Sequence, residues 1–298
     1  SNSVQPRPLI GNAVKLLPEY FHDAGYRTER YGKIMHGDFE SDCYWDTASS
    51  EKEGSSNKNA DNRTAYTEGS DNPGMATWWI KDIPEPEMLN SMIATGLLTS
   101  MKKAKSQPVF YGLGLHTHDP FTPTLKYWNM YGDPSVQELL PIDENGTKTN
   151  LRGNSSANIQ IPATPSNDRG DVPSTAFPNP PQNISSAEWK RLIHAYYAEV
   201  TAMDAQLGLV LDEMDRQNLW SNTIVVFWSD HGQHLGEHEG LWLKNTLFQE
   251  SLRIPFIICV PGKAPGVCNK PVELVDVYPT LTELCGLPLN AGMEGNSF

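Results

Sequence analysis

The sequence predicts an α/β fold with a mostly parallel central sheet sandwiched between helices. Three apolar runs, 109–115, 223–229 and 255–260, are short, rich in β-branched or aromatic residues and nearly free of polar alternation. Strands covered on both faces read this way. Helical patterns fall between them, and strands alternating with helices imply parallel pairing. A length of 298 residues allows one large domain or two ordinary ones and leaves ample room for a core.

Taken in order, the first element is a short helix with Pro18 near its start and Gly25 as its stop. A second helix is expected over 87–103, followed by the strand at 109–115. The clearest helix runs from about 186 to 216, where Leu192, Tyr196, Val200, Met203, Leu207, Val210 and Met214 recur at steps of four and three. Ser185 with Glu188 reads as a capping box at its start. After the two remaining strands, 271–285 is expected to be helical. Pro279 should kink or end a turn there, and Asp276 should fix a helix terminus. Two long polar stretches, 38–74 and 132–184, interrupt the pattern; such loops usually have a functional or disordered character.

Composition narrows the function classes. There are 23 Lys+Arg against 36 Asp+Glu, a formal net charge of −13 and a pI near 5.0. An acidic surface without a Lys/Arg cluster argues against nucleic acid. No apolar stretch approaches the roughly 20 residues needed to span a bilayer. Cys43, Cys259, Cys268 and Cys285 form no CxxC pair, so isolated thiols and one or two disulfides both remain open. Sequons at Asn62, Asn145, Asn154 and Asn183 favour a secretory route weakly.

The most informative stretch is 223–244, where an apolar strand ends in Ser-Asp-His-Gly and His234, Glu237, His238 and Lys244 follow. Ligands in open α/β sheets sit at the carboxyl ends of strands, so Asp230 and His231 emerge where chemistry is expected, side by side and able to reach one divalent cation. The competing reading makes Asp230 a turn cap and His231 a satisfied polar residue. Two further segments bear on the choice: Gly32-Lys33-Ile34-Met35-His36-Gly37, and His116-Thr117-His118-Asp119-Pro120-Phe121 after the strand at 109–115. Six of the eight histidines (His36, His116, His118, His231, His234 and His238) lie in these three places.

These segments resemble the sulfatase family of the alkaline-phosphatase superfamily, most closely its iduronate-2-sulfatase branch. The matching pieces, 25–37, 114–121, 195–214, 229–244, 250–262 and 272–287, occur in family order. The resemblance implies an alkaline-phosphatase-like fold and hydrolysis of a sulfate ester on a sulfated carbohydrate. It also implies a formylglycine nucleophile, made from the Cys or Ser of a C-x-P-S-R motif by a formylglycine-generating enzyme, and a calcium ion acting as Lewis acid. On it, Asp230 and His231 are the late pair of metal ligands. Lys33 stabilises an ionised diol oxygen, and His36 takes the proton that expels sulfate. Lys244 grips the sulfate and neutralises the departing oxygen. One of His116 and His118 contacts sulfate, the H-x-P-F pattern favouring His118. His238 is placed at the pocket mouth, His234 is as readily structural, and Glu250 with Arg253 reads as a structural ion pair.

The early Asp pair and the C-x-P-S-R motif are absent from the sequence; Cys259-Val260-Pro261-Gly262 lacks the Ser-Arg and begins inside a strand. The expectation is therefore a partial catalytic domain over 1–298, truncated at both ends, with the nucleophile region upstream and a C-terminal subdomain beyond. The parent is expected to be exported, to a secreted, lysosomal or periplasmic destination. Two alternatives stay open: a phosphoester or phosphonate hydrolase of the same superfamily, and a carbohydrate-binding relic without catalysis.

Overall fold

The computed structural model describes residues 15–35, 43–49, 63–64, 78, 80–81, 83–118, 120–131, 186–290 and 292–298. His36, Ser185 and nearly all of the two polar stretches lie outside the described residues.

The chain opens with α1 (Leu17–Asp23), which has Pro18 in its first turn and stops before Gly25 at φ +91°. Strand β1 (Arg27–Gly32) pairs in parallel with β2 (Thr47–Ala48). Two small strands, β3 (Arg63–Thr64) and β4 (Ile80–Lys81), pair antiparallel. Helix α2 (Leu89–Met101) then leads to β5 (Val109–Gly114), which lies parallel to β1 along its whole length, from Arg27 opposite Val109 to Gly32 opposite Gly114. After α3 (Leu125–Trp128) comes the long α4 (Ser186–Arg216), which packs on both α2 and α3. The parallel sheet and its helices make this an α/β fold.

The second half supplies the antiparallel part of a sheet expected to be mostly parallel. Strand β6 (Val225–Trp228) is followed by the hairpin of β7 (His234–Leu235) and β8 (Trp242–Leu243), with the one-turn α5 (Glu237–Gly240) between them. The short α6 (Gln249–Leu252) precedes β9 (Phe256–Cys259), which pairs antiparallel with β6. Burial along β9 alternates strictly, with Ile257 61% exposed. The expectation of cover on both faces therefore fails here. Phe256 and Val226 pack on α1 and on α7 (Val277–Leu284) through Phe21, Val277 and Leu281, while the neighbouring residues face outward. A continuous apolar run does not separate a fully buried strand from a half-covered antiparallel one.

Pro279 neither kinks nor ends its helix. It sits in the first turn of α7, where the missing N–H is not needed. Asp276 gives that terminus no side-chain cap; its carboxylate instead accepts the backbone N–H groups of Glu273 at 2.9 Å and Asn296 at 2.8 Å, tying flanking segments to the start of α7. The main core is aromatic: Trp78 stacks on Trp128 at 4.7 Å, and the fully buried His194 stacks on the same indole at 3.8 Å. All four cysteines are free thiols.

Candidate active site

The site is assembled where β1, β5 and β6 run out. A Cβ on Gly32 would collide with the Gly114 carbonyl, and one on Gly114 with the Lys33 carbonyl. Only glycines allow the two chains to part this closely. The Lys33 N–H donates to Gly114 O at 3.1 Å, so Lys33 leaves β1 beside the residues leaving β5.

Two residues after Gly114, His116 is held by its backbone. The Asn90 side chain, on the buried face of α2, accepts the His116 N–H and donates to the His116 C=O, both at 2.8 Å. Asn90 carries no motif and was not among the expected site residues; buried with Ser91 and Ser100 on the same helix, it has no sequence signal of its own. The His116 and His118 rings lie 5.7 Å apart, and His118 stands edge-on to His231 at 6.4 Å. The segment after His118 is tied to α4: Glu199, buried, accepts the Thr122 N–H at 3.1 Å. Burial pushes its carboxyl up to about 7, against the opposing pull of Lys81 and that hydrogen bond.

Beyond β6, Gly232 donates its N–H to Ser251 O at 2.8 Å, and a Cβ there would run into the Glu250 carbonyl. This contact turns the chain under His231. The His231 Nδ1 lies 2.7 Å from Gly232 O; a carbonyl only accepts, so Nδ1 carries the proton and Nε2 presents its lone pair. Lys244 Nζ donates to that lone pair at 2.6 Å, and Asp230 Oδ1 stands 3.5 Å from the same nitrogen. Burial lowers the His231 pKa, the nearby charges of Lys244 and Lys33 lower it further, and the Gly232 carbonyl and Asp230 oppose them. The imidazole is neutral at pH 7. Asp230 is 79% exposed and open to a ligand.

The structure thus gathers Lys33, His118, Asp230, His231 and Lys244 at one edge, with His116 behind His118. His238, expected at a pocket mouth, is half-buried on α5. It stacks on Phe248 at 3.8 Å and bonds Glu250 Oε2 at 3.0 Å. Glu250 therefore pairs with His238 and not with Arg253. His234 is fully buried.

The donor set tests the implied cation. A carboxylate oxygen and an imidazole lone pair 3.5 Å apart match two adjacent ligands at 2.3–2.6 Å from one hard cation, which sit about 3.4 Å apart. In this structure the Lys244 ammonium takes the single lone pair of His231 Nε2, so that nitrogen would join a cation shell only with Lys244 moved off it. Asp230 and His231 are the residues that would hold the ion.

Comparison with known proteins agrees with this geometry. The family model described as Sulfatase matches residues 1–287. A sulfatase from Formosa agariphila is 30% identical over 94% of this chain and 54% of its own. Mouse iduronate 2-sulfatase is 28% identical over 92% of this chain and 54% of its own. Among solved structures, the phosphonate monoester hydrolase SpPMH from Silicibacter pomeroyi superposes with a TM-score of 0.69 over 95% of this chain and 60% of its own, at 18% identity. The chain spans about half the length of the curated relatives it matches. With the family model matched along 287 residues and three strand ends meeting at one edge, the chain belongs to the sulfatase family.

Proposed function

We propose that the protein to which this chain contributes is a sulfuric ester hydrolase acting on a sulfated carbohydrate. One observation carries the reading: Lys33, His118, Asp230 and Lys244, brought in from four separate strand ends, gather around His231. Such a cluster is built to hold an oxyanion in a chain whose overall charge would repel one. The mouse relative bears the name iduronate 2-sulfatase, which supports a sugar sulfate as substrate class.

In this reading Asp230 Oδ1 and His231 Nε2 hold a calcium ion, which when bound supplies Lewis-acid charge to the sulfate oxygens. Gly232 C=O fixes the tautomer that presents Nε2. Lys244, released from Nε2, turns its ammonium to the bridging ester oxygen, where negative charge develops as the alcohol leaves. Lys33 offsets charge on the nucleophile side, and His118 orients a sulfate oxygen with His116 bracing it. His36 remains the assigned proton acceptor from the sequence resemblance. A formylglycine nucleophile, matured by its generating enzyme, and an exported location complete the proposal.

The test is sulfate release. A protein joining this chain to a C-x-P-S-R-bearing segment, co-expressed with a formylglycine-generating enzyme, is expected to release sulfate from sulfated uronate disaccharides when calcium is present. Release of phosphate from matched phosphate esters with no sulfate release would overturn the assignment.

A further inference from the structure

Behind the active-site edge lies a second cluster that the proposed reaction does not use. His234, His238 and Glu250 are, among the described residues, the one trio of potential metal ligands whose donor atoms all lie within 4.8 Å of one another. We propose that these three residues form a separate divalent-cation site, suited to zinc, that staples the Lys244 hairpin to α6.

An ion pair alone does not account for the trio. His238 Nε2 and Glu250 Oε2, 3.0 Å apart, satisfy each other and leave His234 unexplained. The His234 side chain is fully buried. Its Nε2 lies 2.7 Å from Thr246 Oγ1, which also accepts the Phe248 N–H at 3.2 Å and sits 3.1 Å from Ser251 Oγ. With Nε2–H donating to Thr246 and the Thr246 hydroxyl proton going to Ser251, Nδ1 is left as a bare lone pair. That Nδ1 is buried without a hydrogen-bond partner. Glu237 Oε2 stands 3.8 Å from it, beyond hydrogen-bond reach. Whether it carries a lone pair or a proton directed at Glu237, that nitrogen is buried with no partner within hydrogen-bond reach, which is costly. A cation bound to Nδ1 removes that cost.

The details match a metal-binding histidine. Metal-ligating imidazoles almost always give their other nitrogen to a fixed acceptor, which sets the tautomer; Thr246 plays that part. Two imidazole nitrogens and one carboxylate are a zinc donor set with a fourth position open to water. Neighbouring donors on a tetrahedral zinc are about 3.3 Å apart. The His238–Glu250 pair already stands near that spacing, and the His234 donor, within 4.8 Å of both, is the one that binding draws inward. Oxygen-seeking calcium suits Asp230 better.

The ion would join two elements that frame the active site. His234 and His238 sit on β7 and α5, one strand before Lys244. Glu250 belongs to α6, whose Ser251 carbonyl holds the Gly232 N–H beneath His231. Binding would therefore rigidify both walls of the His231–Lys244 pair. The proposal stands independently of the sulfatase chemistry and is tested without turnover.

The 298-residue chain, stripped of metal with a chelator, is titrated with Co²⁺ as a spectroscopic probe and then with Zn²⁺. One equivalent of Co²⁺ should give the intense visible absorption of a tetrahedral site, Zn²⁺ should displace it, and Zn²⁺ should raise the melting temperature. Glu250→Gln and His238→Asn should each weaken binding about tenfold or more; Asn tolerates the φ of +53° at position 238. Circular dichroism of both variants checks the fold, and either folded variant suffices. Asp230→Asn should leave Co²⁺ affinity unchanged. Absence of tetrahedral bands, equal affinity in folded Glu250→Gln or His238→Asn, or loss of the site in Asp230→Asn would each overturn the proposal.

Discussion

Lys244 reaches His231 from a hairpin whose backbone is unusual at four places: Gly236, His238, Gly240 and Leu243 all have positive φ. Two of the four are glycines, for which the region carries no steric penalty. Leu243 at +72° is the costly one, and its conformation is what aims the next residue inward. In the test protein joined to a C-x-P-S-R segment, Lys244→Ala is expected to lower sulfate turnover by about two to three orders of magnitude, the usual cost of losing one oxyanion-stabilising donor. Circular dichroism should show an unchanged fold, and near-normal turnover would remove the assigned role. At this scale the sequence was legible where a motif names a side chain. Lys33, Asp230, His231 and Lys244 were all picked out before any geometry. Asn90 and Glu199 were not, because they act through backbone atoms of other segments, and a lone Asn or Glu on a helix carries no local signature of that. The pairing of Glu250 with His238 was likewise beyond reach, since it depends on how α6 folds back on the hairpin.

Among the elements, the β1–β5 pair depends on glycine at the point where the strands separate. Gly114→Ala would push a methyl group into the Lys33 carbonyl, and overpacking against backbone costs about 1–3 kcal/mol. Urea denaturation should therefore find the variant destabilised by that order, and an unchanged midpoint would contradict the close approach. The long helix α4 was legible almost to the residue, because 31 residues of amphipathic pattern outweigh local noise. The pairing of β6 with β9 was not. Parallel and antiparallel neighbours leave the same apolar run in the sequence, and register is set by contacts with α1 and α7 that lie far along the chain.

For the whole molecule, buried carboxylates set how stability changes with pH. Glu29 is 1% exposed; burial alone would raise its pKa, but hydrogen bonds from Lys105, Ser100, Arg27 and Tyr31 hold the carboxyl at about 2. Its contribution is present above the ordinary value of 4.5 and disappears as pH falls through about 2. Glu199 has the opposite sign. Burial raises its pKa from 4.5 to about 7, so its favourable contribution is full below 4.5 and is lost as pH rises through about 7. Glu199→Gln should therefore gain stability relative to the unmodified chain between about pH 5 and pH 8, by up to about one proton's worth of slope. A pH-independent difference in denaturation free energy would contradict the burial assigned to this carboxyl. Glu29 and Glu199 both brace elements that end at the active-site edge, so acid and alkali should loosen that edge by different routes.

The central claim is that distant strand ends converge on one anion. It is tested most directly by a crystal structure of the complete protein with calcium and a slowly hydrolysed sulfated monosaccharide. The account predicts calcium on Asp230 and His231, with the sulfate group in salt-bridge contact with both Lys33 and Lys244 and within reach of His118. A sulfate bound elsewhere, or calcium held without Asp230 and His231, would contradict it.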